Sequence, residues 1–72
     1  MIELLSIRVQ YLNGSCVIRQ HKLEGNKMFD SKEELEEYRK LRELKLQYKE
    51  DQRQHEVKVS VIFDYKEYAN PS

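Results

Sequence analysis

Seventy-two residues carry thirteen Lys and Arg against thirteen Asp and Glu, so the formal net charge at neutral pH is zero, with 36% charged and 39% hydrophobic residues. That length holds one domain at most, with a core near the lower limit for independent stability. Balanced charge speaks against a polybasic nucleic-acid binder, and no apolar run approaches the roughly 18 residues of a membrane-spanning helix. With one cysteine and no basic-then-apolar leader, the expected compartment is reducing and cytoplasmic, with no disulfide framework.

From Ile2 to Leu23 the chain alternates with period two, interrupted at Asn13-Gly14. Asn-Gly between alternating runs signals a hairpin, because both central residues of a type I′ turn need positive φ. Strands are predicted over residues 3–12 and 15–23. Counting outward from a two-residue Asn13-Gly14 loop sets Tyr11 opposite Cys16, Val9 opposite Ile18, Arg8 opposite Arg19 and Leu4 opposite Leu23. Leu5, Ile7, Val9, Tyr11, Cys16 and Ile18 then form the core face. Leu4, Ser6, Arg8, Gln10, Leu12, Val17, Arg19, His21 and Leu23 share the other, mixed face.

A turn at Glu24-Gly25-Asn26 leads to Phe29 and a helix start. Ser31 with Glu34 three residues on reads as a capping box. Glu33, Glu34, Glu36 and Glu37 crowd the first turns and Arg39, Lys40, Arg42, Lys45 and Lys49 follow, an order that suits the helix dipole. Glu36–Lys40 and Arg39–Glu43 are i,i+4 pairs. Leu35, Tyr38, Leu41, Leu44 and Tyr48 recur every three or four residues and predict the buried stripe of a helix over residues 32–51. Leu46 falls off that stripe, about 140° from Leu41.

Residues 56–68 alternate again, with Val57, Val59, Val61, Phe63 and Tyr65 on one face and Lys58, Ser60, Ile62, Asp64 and Lys66 on the other. The order ββαβ predicts an α+β domain over residues 1–68, followed by a frayed tail at 69–72. A helix of about 20 residues spans roughly 30 Å and returns the chain along the sheet. The third strand is therefore expected beside the first and antiparallel to it, giving strand order 2-1-3 with the helix on one face. A three-stranded sheet covered on one side leaves Leu4, Leu12, Val17, Leu23 and Ile62 open, and with Leu46 these are the expected contacts of a homodimer.

Chemistry-bearing patterns are scarce. His21 and His55 stand alone and no Cys/His pair has structural-zinc spacing, so no metal or other cofactor is expected. Glu33 and Glu37 read as a solvated helix start, and Cys16, on the core parity, as a small hydrophobe. Two isolated glycines build no phosphate loop. A catalytic role is not expected.

Arg8, Arg19, His21, Lys58 and Lys66 are predicted to gather on the open sheet face, opposed by Asp64 alone. Arg8 across from Arg19 is a costly like-charge pair that an acidic partner, an anion or Asp64 relieves. Sheets that bind RNA stack bases on exposed aromatics, and here the strand tyrosines fall on the core parity. A protein partner, met through the open face or by an edge strand, therefore ranks above a nucleic-acid-binding regulator. The Lys-, Glu- and Tyr-rich composition is of the kind seen in accessory proteins of phages and mobile elements. No partner membrane is indicated, since a surface-binding helix needs a stronger apolar face and net basic charge.

Overall fold

In the computed structural model, residues 1–53 and 56–69 are described. Strand β1 spans Ile2–Asn13, β2 Cys16–Phe29, helix α1 Lys32–Gln52 and β3 Lys58–Glu67. The sheet order is β2-β1-β3, with both pairings antiparallel. The fold is thus the expected ββαβ arrangement. Its length of 50 Å comes from the hairpin, since 14 extended residues reach about 46 Å. Beyond β3, the Tyr68 N–H donates to the Met1 carbonyl at 2.8 Å and extends the pairing of β3 with β1. His55 and the tail beyond Ala69 lie outside the described residues.

The hairpin turns one residue later than the sequence suggests. Asn13 pairs with Cys16, leaving Gly14-Ser15 as the loop. Gly14 has φ +63° while Asn13 and Ser15 keep negative φ, the pattern of a type II′ rather than a type I′ turn. Cys16 therefore sits at the exposed turn and not across from Tyr11 in the core.

Two irregularities then reset the faces. Ile18 is an extra residue on β2, so Tyr11 pairs with Arg19, Val9 with His21, Arg8 with Lys22 and Ile7 with Leu23. A single inserted residue inverts every side chain beyond it. Arg19, His21 and Leu23 consequently lie on the helix side of the sheet, not on its open face. On β1, Leu5 is an extra residue against β3, where Leu4 pairs with Tyr65 and Ser6 with Asp64. Leu4 is thereby 1% exposed and Leu5 49%, the reverse of the alternation read from sequence.

The expected turn at residues 24–26 is an irregularity inside a continuous β2 that runs on to Phe29. Asn26 takes φ +47°, and a Cβ on Gly25 would run into the Leu4 carbonyl. Glycine is required there by close backbone approach.

Ser31 caps α1, its Oγ accepting the Glu34 N–H at 3.3 Å. Glu34 reaches back one residue further than a standard box, accepting the Asp30 N–H at 3.2 Å. The core joins Ile2, Leu4, Ile7, Val9 and Tyr11 of β1 to Phe29, Leu35, Val57, Val59, Val61 and Phe63. Tyr38 and Leu46 pack against it, with the Tyr38 ring between those of Phe29 and Phe63 at 5.4 and 5.7 Å. Leu41, Leu44 and Tyr48, predicted as core, face outward instead.

Candidate interaction surfaces

The residues that turn Leu41 and Leu44 outward are polar. On its inner face α1 presents Arg39, Glu43, Gln47 and Glu50, spaced four, four and three residues apart, and uses them on the sheet. Gln47 Nε2 donates to the Val57 carbonyl at 2.9 Å, and its Oε1 accepts the Val59 N–H at 2.8 Å. Glu43 Oε2 accepts the Val61 N–H at 3.0 Å, and Arg39 Nη1 donates to the Val61 carbonyl at 3.3 Å. Side chains of the helix thus occupy backbone groups that a fourth strand would need. An edge covered in this way no longer templates strand addition.

Arg39 is itself held by Glu36 at 2.6 Å and Glu43 at 3.0 Å. The hydrogen bond from Arg39 holds the Glu36 carboxyl below its ordinary range, and the same bond raises the guanidinium pKa. Glu36 therefore pairs with Arg39 and not, as the spacing suggested, with Lys40. Arg42 turns toward the core side of the helix and donates from Nη1 to the Tyr38 hydroxyl at 3.1 Å.

Strand β2 is treated differently. Among the described residues β1 is its only strand neighbour, and Cys16 through Met28 are exposed apart from half-buried Gly25. Arg19 ties it to the helix by charge. The guanidinium lies 4.0 Å over the Tyr11 ring and reaches the buried Glu50 carboxylate at 3.1 Å, with Arg53 at 3.6 Å on the same oxygen. His21 stacks at a tilt on Tyr11, 5.9 Å between ring centroids. Nearer the helix start, the Lys27 ammonium sits 4.4 Å over the Tyr38 ring.

The open face keeps only part of the predicted basic cluster. Arg8, Lys58 and Lys66 remain there by register, and Lys22, which sequence reasoning did not select, takes the place opposite Arg8. Acidic groups are interleaved. Asp64 lies 3.9 Å from Arg8 and accepts the Ser6 hydroxyl at 2.7 Å, while Glu24 pairs with Ser6 and Glu3 with Lys66. The Tyr68 hydroxyl donates to Glu3 at 2.6 Å, which raises the phenol pKa, and the Lys66 ammonium sits 5.3 Å over the Tyr68 ring. The face is mixed in charge.

Of the residues expected to self-associate, Leu12, Val17 and Ile62 stay on that open face. Leu4 is buried, Leu46 packs inward and Leu23 lies on the helix side. Among the described residues no group of three or more His, Cys, Asp or Glu is placed to hold a metal ion, and no helix is long and apolar enough to cross a membrane. Comparison with known proteins gave no matching family model, no matching curated protein and no matching solved structure.

Proposed function

We propose that the protein is a small non-catalytic interaction module that takes an extended segment of a partner protein as an additional strand along the outer edge of β2. One observation carries this reading. The helix covers the β3 edge with its own side chains, while the 14-residue β2 has no strand beyond it among the described residues. In strand addition, main-chain hydrogen bonds supply affinity and alternate side chains supply specificity. Exposed Val17, Leu23 and Met28, with Lys22 and Lys27 between them, suit an incoming segment that mixes apolar and acidic residues. The interleaved carboxylates of the open face lend no weight to a phosphate-tracking reading.

The test is selection of peptides from a random display library on the immobilised protein, followed by mapping of one selected peptide by amide NMR. Shifts and gained exchange protection running along residues 16–29 support the proposal. Shifts confined to the open-face residues Arg8, Lys58 and Lys66, or to the helix, overturn it.

A further inference from the structure

We infer that the strand taken up by β2 is acidic on the side that faces the helix, its carboxylates received by a basic trough between β2 and α1. This rests on the reading of β2 as the edge that takes a strand, and adds which residues that strand must carry. By register Arg19, His21, Leu23 and Lys27 share the helix side of the sheet, paired with Tyr11, Val9, Ile7 and Leu4. The helix leaves all four exposed. The basic ones gather on two tyrosines. At one end the Arg19 guanidinium lies 4.0 Å over the Tyr11 ring, with His21 tilted against it at 5.9 Å. At the other the Lys27 ammonium lies 4.4 Å over the Tyr38 ring, and Arg42 donates to the Tyr38 hydroxyl at 3.1 Å.

The facing flank of the helix has the same sign. At 100° per residue, Arg42, Lys49 and Lys45 lie about 20°, 40° and 80° round from Leu35. They fall on the side away from Arg39, Glu43 and Gln47, which bond β3. Two carboxylates border the trough and both are engaged. Glu50 holds Arg19 and Arg53, and Glu34, at the helix start, accepts the Asp30 N–H. Lys27, Arg42, Lys45 and Lys49 form no ion pair among the described residues. The buried Nε of Arg42 has no hydrogen-bond partner there either. An unpaired buried donor beside unneutralised cations is costly, and an arriving carboxylate offsets that cost.

Charge selects the occupant. Residues of an added strand lie about 5 Å from those they face on β2, and alternate ones share a side. Those opposite Arg19, His21 and Lys27 are therefore Asp or Glu, and the one opposite Leu23 is apolar. The pattern is acidic-x-acidic-x-apolar or its reverse, according to strand direction. On the open face the same strand meets Lys22 and Glu24, which together select no sign. A second copy of this chain does not fit. The one carboxylate of β2, Glu24, is on the other face, so β2 against β2 sets basic residues against basic or uncharged ones. A nucleic-acid strand fits less well, because Arg19 and Lys27 already occupy the ring faces on which bases would stack.

The probes are ten-residue peptides selected from the display library, with one labelled peptide titrated by fluorescence anisotropy beside its counterpart carrying Asn and Gln for every Asp and Glu. Selected peptides should show acidic residues two apart, and the amide counterpart should bind at least about tenfold more weakly. Lys27→Glu should weaken the acidic peptide about tenfold, and Lys22→Glu, on the other face of the same strand, less than about threefold. Both side chains are exposed, so circular dichroism should not change. Peptides that map to residues 16–29 without acidic preference, or equal effects of Lys22→Glu and Lys27→Glu, overturn this inference and leave strand capture standing. Peptides that map elsewhere, or a library that yields none, overturn both. A labelled thymidylate dodecamer that binds more tightly than the peptides and shifts the Arg19, His21 and Lys27 amides overturns the inference in favour of nucleic acid.

Discussion

Along β3, Gln47, Glu43 and Arg39 meet the backbone groups of Val57, Val59 and Val61, whereas β2 runs for fourteen residues with only one strand beside it. Both are outer strands of the same sheet. What separates them is the helix that lies between β2 and β3 in sequence. Leaving β2 at Phe29 and returning into β3, α1 leans on β3 and barely touches β2. One edge is thereby closed within the molecule and the other has no further strand beside it among the described residues. An open edge is a hazard that proteins ordinarily blunt, and here the charged side chains of Arg19, Lys22, Glu24 and Lys27 along β2 discourage indiscriminate pairing.

The strongest way to break this contrast is to strip the cover from β3. Gln47→Leu keeps the side-chain volume but removes the acceptor of the Val59 N–H and the donor to the Val57 carbonyl. Each part-buried group left unpaired costs about 1–3 kcal/mol, so a loss of about 2–4 kcal/mol is expected. Urea unfolding should show a lower midpoint at unchanged slope. The Val59 amide should also lose its protection from hydrogen exchange. A loss under about 0.5 kcal/mol, within the range of ordinary surface substitutions, would mean that water serves this edge as well as the helix does.

Much of the contrast was invisible in the sequence for identifiable reasons. Period-two alternation located all three strands, and Ser31 with Glu34 located the start of the helix, because those signals are local. The faces were misassigned because Leu5 and Ile18 are extra residues, and one insertion inverts a strand's parity. The clue lay in adjacent apolar pairs, Leu4-Leu5 and Val17-Ile18, inside otherwise alternating runs. Gly25 was a clue of a second kind, a glycine within a strand marking close backbone approach.

The helix misled for a different reason. Its apolar spacing chose Leu41, Leu44 and Tyr48, as a helix packing through hydrophobic contact would require. The side that reaches the sheet does so in part through hydrogen bonds made by Arg39, Glu43 and Gln47, which an apolar pattern does not mark. Arg19 and His21 left the open face, and the leucine strip became exposed.

A smaller effect separates the edges through the ion pair between Arg19 of β2 and Glu50 of α1. Arg19→Met keeps apolar area over Tyr11 but withdraws the charge from Glu50, a buried carboxylate. Removing one partner of a fully buried pair is expensive. Here Arg19 is about half exposed and Arg53 stays within 3.6 Å of the same oxygen, so a loss of about 1 kcal/mol is expected after solvent screening. Thermal unfolding should show a drop of about 4–8 °C for that amount in a domain of this size. The amides of β2 should become less protected while those of Val59 and Val61 hold. Equal loosening of both edges would mean that Arg19 supports the whole core and not β2 alone.

The smallest expected effect is one of pH, and it belongs to the β3 side. Glu36 accepts two hydrogen bonds from Arg39, at 2.6 and 2.8 Å, and these hold its pKa below 4.5, the ordinary value. A carboxyl with a depressed pKa in the folded state contributes stability that is fully present above its unfolded value. That stability is lost as pH falls through the folded one. Glu36 is half exposed, so the contribution is about 0.5 kcal/mol at most. Glu36→Gln should therefore lower stability slightly at neutral pH, and the difference from wild type should close as pH is taken from about 5 toward about 3. Urea midpoints across that range are the measurement. Arg39 also bonds the Val61 carbonyl, so a fixed gap that ignores pH would mean that Glu36 acts by positioning Arg39 over the edge and not through its charge. The closed edge would then depend on packing of the helix, and only β2 would respond to charge.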